Sequence, residues 1–272
     1  MKIMVSVKAY TSLVIVCTLA FLPPSLYAQN KDRRSMWYAG TGIFSPSSGM
    51  KRSSMLANGL TWRTGYNYSF GSVSPFCAGF ELRLDYSKFP GRPEAPSAVS
   101  SLRYTNGSAS PQLVSLQLDV KPKKPDAFQY LIGPALFYST EEFFLQSSFL
   151  FGYASVSQEP FAFFDSIRSA SNPADNRNII FYTAGHETNN GFVFVPGVKA
   201  GIELTRHIGF FASLDYSIGP RQHFSDLVLI PQGSPVNGTY TFQQLNAGEL
   251  SPVERTGHFR VAVVSGNLSI RF

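Results

Sequence analysis

The sequence predicts an all-β protein, a single antiparallel up-and-down β-barrel that spans a membrane. Three observations predict it. Apolar and polar residues alternate over many runs of strand length, whereas no stretch beyond the N-terminal region keeps a helical period. No apolar stretch there is long enough to cross a bilayer as a helix. Aromatic residues make up 14% of the chain and charged residues only 15%, which excludes a disordered protein because disorder requires few aromatic residues and much charge.

The N-terminal region has the pattern of a secretory signal peptide. Lys2 and Lys8 precede the apolar run 10–22, which two prolines end, and a small residue follows at Ala28. The alternative is a membrane-anchor helix, but the run falls short of the roughly 18 to 20 residues that a spanning helix needs. We therefore predict a signal peptide over 1–28. The remaining chain contains one cysteine, Cys77, which excludes an internal disulfide framework.

Nine runs have the composition and alternation of β-strands. They are 36–45, 60–70, 78–86, 112–121, 128–139, 143–157, 192–204, 208–218 and 261–272. An up-and-down barrel with both termini on one side needs an even number of strands. We favour eight strands, in which case either 112–121 or 143–157 belongs to a loop outside the membrane. A ten-strand barrel, which adds 178–185, is the alternative.

A soluble antiparallel sandwich produces the same alternation. Aromatic residues near the strand ends favour the barrel, because membrane barrels carry aromatic girdles at both interfaces. Followed through the runs, the alternation places five basic and five acidic residues on the inward faces. They are Arg63, Arg83, Lys121, Lys199, Arg271, Glu81, Asp85, Asp119, Glu203 and Asp215. Because side chains fill an eight-stranded barrel, these charges predict an ion-paired, closed lumen.

The last run resembles a known recognition signal. It ends on Phe272, with Ile270 and Leu268 at alternate positions before it. Together with the signal peptide and the alternation, this resembles the outer-membrane β-barrel superfamily, the OmpA-type or porin-family small barrels of Gram-negative bacteria. The resemblance implies a periplasmic segment over 29–35 and a barrel over 36–272.

The resemblance also implies a cellular setting. Both termini are expected in the periplasm, with short periplasmic turns and long extracellular loops. Expected partners are outer-membrane lipid and lipopolysaccharide, and the barrel-assembly machinery, which would contact the C-terminal strand. The partner of the external loops is not identified by the sequence.

Motifs for catalysis are sparse, and no cofactor or metal site is predicted. Nucleic-acid binding is excluded because the net charge is only +6 and no long basic run is present. His223 and Ser225 resemble the His-x-Ser pair of outer-membrane lipid A deacylases, and they are the weak catalytic candidates. We expect a non-enzymatic scaffold and surface-interaction protein. The alternatives are a small porin-like channel for small solutes or apolar molecules, and a lipid A deacylase-type esterase.

Overall fold

The computed structural model describes residues 35–47, 58–70, 76–89, 95–105, 110–119, 126–140, 142–167, 177–205 and 207–272. Its strands are β1 (Ser35–Pro46), β2 (Gly59–Ser69), β3 (Phe76–Lys88), β4 (Arg103–Thr105), β5 (Gln112–Leu113), β6 (Gln117–Leu118), β7 (Asp126–Ser139), β8 (Phe143–Gln158), β9 (Phe161–Ile167), β10 (Arg177–Ala184), β11 (Glu187–Glu203), β12 (Ile208–Ile230), β13 (Tyr240–Thr241) and β14 (Glu249–Arg271). Two short helices are α1 (Ser97–Ser100) and α2 (Phe242–Asn246). Neither has the length or apolarity to cross a membrane. The predicted signal peptide, 1–28, and residues 29–34 lie outside the described residues.

Eight antiparallel strands form a closed ring, in the order β1, β2, β3, β7, β8, β11, β12, β14. The ring closes where β14 pairs with β1, with Met36 opposite Arg271. Closure leaves no unpaired edge in the barrel wall, as a structure surrounded by hydrocarbon requires. The prediction of eight strands is confirmed. The run 143–157 belongs to the barrel strand β8, whereas 112–121 contains only β5 and β6, outside the ring.

The outer and inner faces of the wall differ sharply in polarity. Outward side chains are apolar and exposed, as at Ile43 (63%) and Val264 (58%). Aromatic rings lie outward towards both ends of the strands, with Trp62 and Tyr86 at one end and Phe76 at the other. We call the end where β1 begins and β14 ends the terminal end, and the opposite end the distal end. The outward apolar band is what a bilayer demands of the surface it contacts.

Several elements lie beyond the distal end of the ring. β12 and β14 are 23 residues long, about twice the 9–11 residues that a tilted strand needs to cross a bilayer. Their distal halves pair with each other, and β10, β9 and β6 extend this sheet. We call the assembly the distal cap; it comprises the described residues 95–105, 110–119, 159–167, 177–186 and 221–257.

The distal cap has a hydrophobic core of its own. β4, β5 and β13 form a second small sheet against it, with β13 parallel to β4. Its buried side chains include Tyr104, Phe163, Phe181 and Leu245. The cap therefore folds as a packed layer on the barrel, because its apolar residues are removed from water without any contribution from the bilayer.

Candidate functional site

The barrel interior contains a cluster of six charged side chains, three basic and three acidic. Each projects inward because it stands on the polar side of an alternating strand, and each is buried. We call this set the ionic cluster; it comprises Arg63 on β2, Glu81, Arg83 and Asp85 on β3, Lys199 on β11 and Asp215 on β12. Since the charges balance, the cluster neutralises itself.

Asp215 pairs with both arginines of the cluster. Its Oδ2 lies 2.5 Å from Arg63 Nη1, and its Oδ1 lies 2.8 Å from Arg83 Nη1. Asp85 approaches the same two guanidinium groups, at 3.3 Å from Arg63 Nη2 and 3.2 Å from Arg83 Nε. These contacts cross the barrel from β3 to β12 and therefore join strands that are not neighbours in the ring.

Glu81 is the second centre of the ionic cluster. Its Oε1 lies 2.5 Å from Lys199 Nζ and accepts a hydrogen bond from the Tyr38 hydroxyl. Its Oε2 accepts a hydrogen bond of 2.7 Å from Gln146 Nε2. The Lys199 ammonium also lies 4.3 Å from the centre of the Tyr38 ring, an attractive cation–π geometry. Both carboxylate oxygens of Glu81 are thus satisfied without water.

Apolar side chains fill the interior on both sides of the ionic cluster. Towards the terminal end, Phe144 and Phe211 pack edge to face with ring centres 5.6 Å apart. Towards the distal end lies a larger group, which we call the distal apolar layer: Phe44, Phe89, Ala127, Leu131, Leu150, Ala154, Val156, Val193, Val195, Phe259, Val261 and Val263. Within it the Phe44 and Phe89 rings are 4.5 Å apart. Polar side chains also lie among this group, where Ser217 donates to Gln129 at 3.3 Å and Ser87 donates to Thr61 at 3.0 Å. The distal part of the interior is therefore filled by apolar side chains and by polar side chains that bond to each other.

The remaining predicted interior charges lie elsewhere. Glu203 and Arg271 form their own ion pair at the terminal end, with the Arg271 guanidinium 5.1 Å from the Phe144 ring centre. The assignment of Asp119 to the lumen needs correction: it is exposed beside β6, where its backbone pairs with Ala162 of the distal cap. Its segment alternates like a barrel strand but pairs only with β9. Lys121 lies outside the described residues.

The ionic cluster has three uncharged partners that the sequence analysis does not predict. Tyr38, Asn67 and Gln146 all project inward and bond within or beside the cluster. The alternation of 60–70 places Asn67 on the polar face, so the sequence is enough to predict that its side chain points inward. Gln146 stands in a run that is apolar on both faces, so the alternation does not show whether its side chain points inward or outward.

The residues of the C-terminal signal lie on the outside of β14. Leu268, Ile270 and Phe272 project outward and are exposed by 53%, 37% and 59%. They belong to the apolar band, and the inward positions between them carry Ser269 and Arg271. The structure thus leaves these three side chains available to a lipid or protein contact.

His223 and Ser225 lie on the outer face of the distal half of β12. They border an open cleft of about 400 Å³, lined by His186, Glu187, Thr188, Asn189, His223, Phe224, Ser225 and Glu254. Side chains two apart on one face of a strand can bond to each other, as Ser213 and Asp215 do at 3.0 Å, and a base and its nucleophile need about 2.6–3.2 Å. Among the described residues no hydrogen bond joins the His223 ring to the Ser225 hydroxyl.

The side chains around the cleft are engaged with its backbone. The Ser225 N–H donates to Glu187 Oε1 at 2.9 Å and to Oε2 at 3.0 Å. The Asn189 amide bonds the backbone of His223 in both directions, at 2.7 and 3.0 Å. The backbone pairing of β11 with β12 ends at Phe194 and Ile218. Beyond that point the side chains of Glu187 and Asn189, rather than the β11 backbone, bond to the backbone of β12. No group of His, Cys, Asp and Glu in the described part of the chain is arranged to hold a metal ion.

A partly buried ion pair of the distal cap also contacts the barrel. Arg255 of β14 pairs with Asp226 of β12, bonds Gln158 Oε1 of β8 at 3.3 Å and lies 5.4 Å from the Phe224 ring centre. Burial lowers the pKa of Arg255, but the hydrogen bond to Asp226 and the negative charge of that carboxylate more than compensate, so the pKa is raised. The pair fixes the two long strands to the end of β8.

Comparison with known proteins gives matches only among solved structures. No protein-family model and no curated protein matches the chain. The chain is similar to a major outer membrane protein from Thermus thermophilus, with 10% identity, a TM-score of 0.42, and coverage of 88% of this chain and 99% of that one. It is also similar to the outer membrane protease OmpT from Escherichia coli, with 8% identity, a TM-score of 0.41, and coverage of 89% and 97%.

A third similar structure is that of Ail, the attachment invasion locus protein of Yersinia pestis, in complex with the heparin analogue sucrose octasulfate. It is 11% identical, with a TM-score of 0.39 and coverage of 89% of this chain and 99% of that one. The solved structures to which this chain is similar are those of outer-membrane β-barrel proteins.

Proposed function

We propose that this protein is a non-enzymatic outer-membrane barrel whose closed interior makes it a stable scaffold and whose distal cap is a surface for interaction. The filled interior is the observation that carries the proposal. A water-filled pore needs open space along the barrel axis, whereas the side chains of the ionic cluster and of the distal apolar layer are buried against one another. An eight-stranded barrel leaves an interior that side chains fill.

The lengths of the connections support an orientation. At the terminal end the strands are joined by the short segments 70–75, 140–142 and 204–207. At the distal end the connections 47–58, 89–125, 159–186 and 231–248 are longer, and the described residues of the last three belong mostly to the distal cap. Outer-membrane barrels have short periplasmic turns and long external loops. We therefore infer that both termini of the barrel are periplasmic and that the distal cap lies outside the cell.

The cap suits an interaction role because it presents a preformed surface. The core side chains of its described part are buried among themselves, so a partner meets a packed layer there. Binding to a preformed surface avoids the entropy cost of ordering a loop. The cleft beside His223 belongs to this surface, and the geometry of its histidine and serine does not support a catalytic role.

Recordings from planar lipid bilayers test the closed interior. The purified barrel is expected to give no steady conductance. A variant that shortens large interior side chains, R83A/F44A/F259A, is expected to conduct, since it removes volume from both the ionic cluster and the distal apolar layer. The matched control F149A/F151A/F194A removes three aromatic rings from the lipid-facing side and is expected to stay silent.

Two results would contradict the proposal. A steady conductance from the unaltered protein, or swelling of protein-loaded liposomes in small sugars, would instead favour a porin-like channel. Each variant is first checked for a folded barrel by its heat-dependent migration in gels, so that a failure to fold is not read as a closed interior.

A further inference from the structure

The distal cap carries an asparagine–glycine pair at the tip of a tight hairpin. Val236 and Thr239 each donate a backbone N–H to the carbonyl oxygen of the other, at 3.0 Å in both directions, and Asn237 and Gly238 form the loop between them. Both loop residues have positive φ angles, 52° at Asn237 and 73° at Gly238, as the type I′ turn of a two-residue hairpin requires. Both are exposed, so water reaches the loop.

Two neighbouring groups at this tip are not engaged elsewhere. The Asn237 side-chain amide and the Gly238 backbone N–H form no hydrogen bond within the described part of the chain. A Cβ atom on Gly238 would meet nothing within 4 Å, so no other part of the cap crowds this backbone nitrogen. Rotation about bonds of Asn237 brings that nitrogen to the Asn237 Cγ atom. The rotation needs only the two hydrogen bonds of the tip to open, and exposed loops open locally while the rest of a protein stays folded.

We propose that Asn237 is a site of spontaneous deamidation. The Gly238 nitrogen attacks the Asn237 Cγ atom, loses its proton to water and expels the side-chain nitrogen as ammonia, which closes a succinimide ring. Water then opens the ring at one of its two carbonyl carbons. Attack at Cγ gives aspartate, whereas attack at the main-chain carbonyl carbon gives isoaspartate, in which the chain continues through the former side chain. Water is the only co-reactant, and no atom is oxidised or reduced.

A second asparagine–glycine pair stands where the fold opposes this reaction. Asn190 and Gly191 lie in β11, within the ladder that joins β11 to β8. A Cβ atom on Gly191 would come within 2.6 Å of the Pro220 ring, so β12 also packs against this glycine. Rotation at Asn190 would have to break the pairing of two strands of the barrel wall. We therefore expect Asn190 to stay intact while Asn237 reacts. A third pair, 106–107, lies outside the described residues.

The two products have different effects on the distal cap. Aspartate tolerates the positive φ angle of this position as asparagine does, so it adds a negative charge and keeps the hairpin. Isoaspartate lengthens the main chain by one carbon atom, which disrupts the reciprocal bonds between Val236 and Thr239. Tyr240 follows directly and pairs with Tyr104 of β4, so the change reaches the packed part of the cap. The reaction thus alters, with time, the surface to which the proposed function assigns interaction.

Incubation of the folded barrel, in detergent and in water enriched in a heavy oxygen isotope, tests this proposal. Ring opening incorporates one labelled oxygen atom, and peptide mapping by mass spectrometry measures the label at each asparagine. Label is expected to enter at Asn237 at least tenfold faster than at Asn190, in both the aspartate and the isoaspartate form. In protein unfolded with urea the two sites are expected to react at similar rates, because each asparagine precedes a glycine.

Two variants complete the test. Asn237→Ser should abolish the fast reaction, whereas the matched control Asn190→Ser should keep it. Absence of label at Asn237 in the folded protein would overturn the proposal and show that the hairpin holds this residue in place. Equal rates at Asn237 and Asn190 in the folded protein, or a fast reaction that persists in Asn237→Ser, would overturn it as well. Conductance plays no part in this measurement, so its outcome is separate from the test of the closed interior.

Discussion

Gly197 on β11 lies directly opposite Asp215 on β12, and its missing side chain gives the Asp215 carboxylate its place. A Cβ atom on Gly197 would come within 2.1 Å of Asp215 Oδ1. The same oxygen lies 2.8 Å from the Arg83 guanidinium. The glycine is therefore a packing requirement of the ionic cluster and not only a flexible position.

Replacing Gly197 by alanine should destabilise the barrel by about 1–3 kcal/mol, the usual effect of forcing extra volume into a packed interior. Urea unfolding of the protein in detergent or lipid measures the change. Gly266→Ala is the control, because a Cβ there points outward and meets only the Phe210 ring, at 3.4 Å. Equal stability of the two variants would show that the interior side chains rearrange around an added methyl group without a measurable cost in stability.

Replacing Asp215 by asparagine should lower the free energy of unfolding by about 3–5 kcal/mol. The change leaves two buried arginines with one fewer anion, and an uncompensated buried charge has this effect. Asp119→Asn is expected to change stability by less than about 0.5 kcal/mol, as exposed surface changes do. A loss at Asp215 no greater than that at Asp119 would indicate that the interior is hydrated.

Replacing Arg255 by alanine should loosen the distal cap while leaving the barrel folded. The change removes the ion pair to Asp226 and the contact to Gln158. Hydrogen exchange followed by mass spectrometry should show faster exchange in β10 and in the distal half of β12, with the ring strands unchanged. Arg177→Ala, an exposed position in the cap, is the control. Unchanged exchange would mean that the hydrophobic core of the cap keeps it folded without the ion pair.

Replacing His223 or Ser225 by alanine should leave the acylation pattern of host lipid A unchanged. In the described part of the chain no hydrogen bond joins the imidazole to the hydroxyl, and the neighbouring Glu187 carboxylate accepts from the Ser225 backbone N–H instead of orienting the imidazole. Mass spectrometry of lipid A from cells that express each variant or the unaltered protein makes the comparison. Loss of an acyl chain that depends on either residue would establish an esterase.

Replacing Phe272 by alanine should reduce the amount of folded barrel in the outer membrane several-fold in cells. Its ring projects outward from the last strand, where the proposed contact with the assembly machinery would form. Phe210→Ala is the control, since Phe210 is also lipid-facing near the same end. If both variants fold to the same yield, the C-terminal residue has no special role in assembly.

Alternation allowed the sequence to predict the ring and the direction of its charges. A side chain on a pleated strand has only two directions, so one apolar face fixes the direction of every residue between, as for Glu81, Arg83 and Asp85. The same rule misplaced Asp119, because short strands outside a membrane alternate in the same way. The side of a strand on which a side chain lies follows from the residues next to it in sequence. Whether the strand belongs to the ring depends instead on which other strands pair with it.

The distal cap was beyond prediction for that reason. Its contacts join residues remote in sequence, such as Tyr104 with Tyr240 and Gln117 with Phe164. No local pattern specifies that these segments meet. The close approach of Gly197 to the Asp215 carboxylate could not be predicted either, because it depends on the register in which β11 pairs with β12.

The passage of β12 and β14 from the ring into the distal cap includes one irregularity, a register shift between Ile218 and Arg221. Gly219 and Pro220 have no partner in the β14 ladder there, and the pairing resumes at Arg221 opposite His258. On β12 the exposed positions change from even to odd numbers across this shift. A single extra residue therefore reverses which face of β12 each side chain occupies in the cap, while the two strands stay paired on both sides of it.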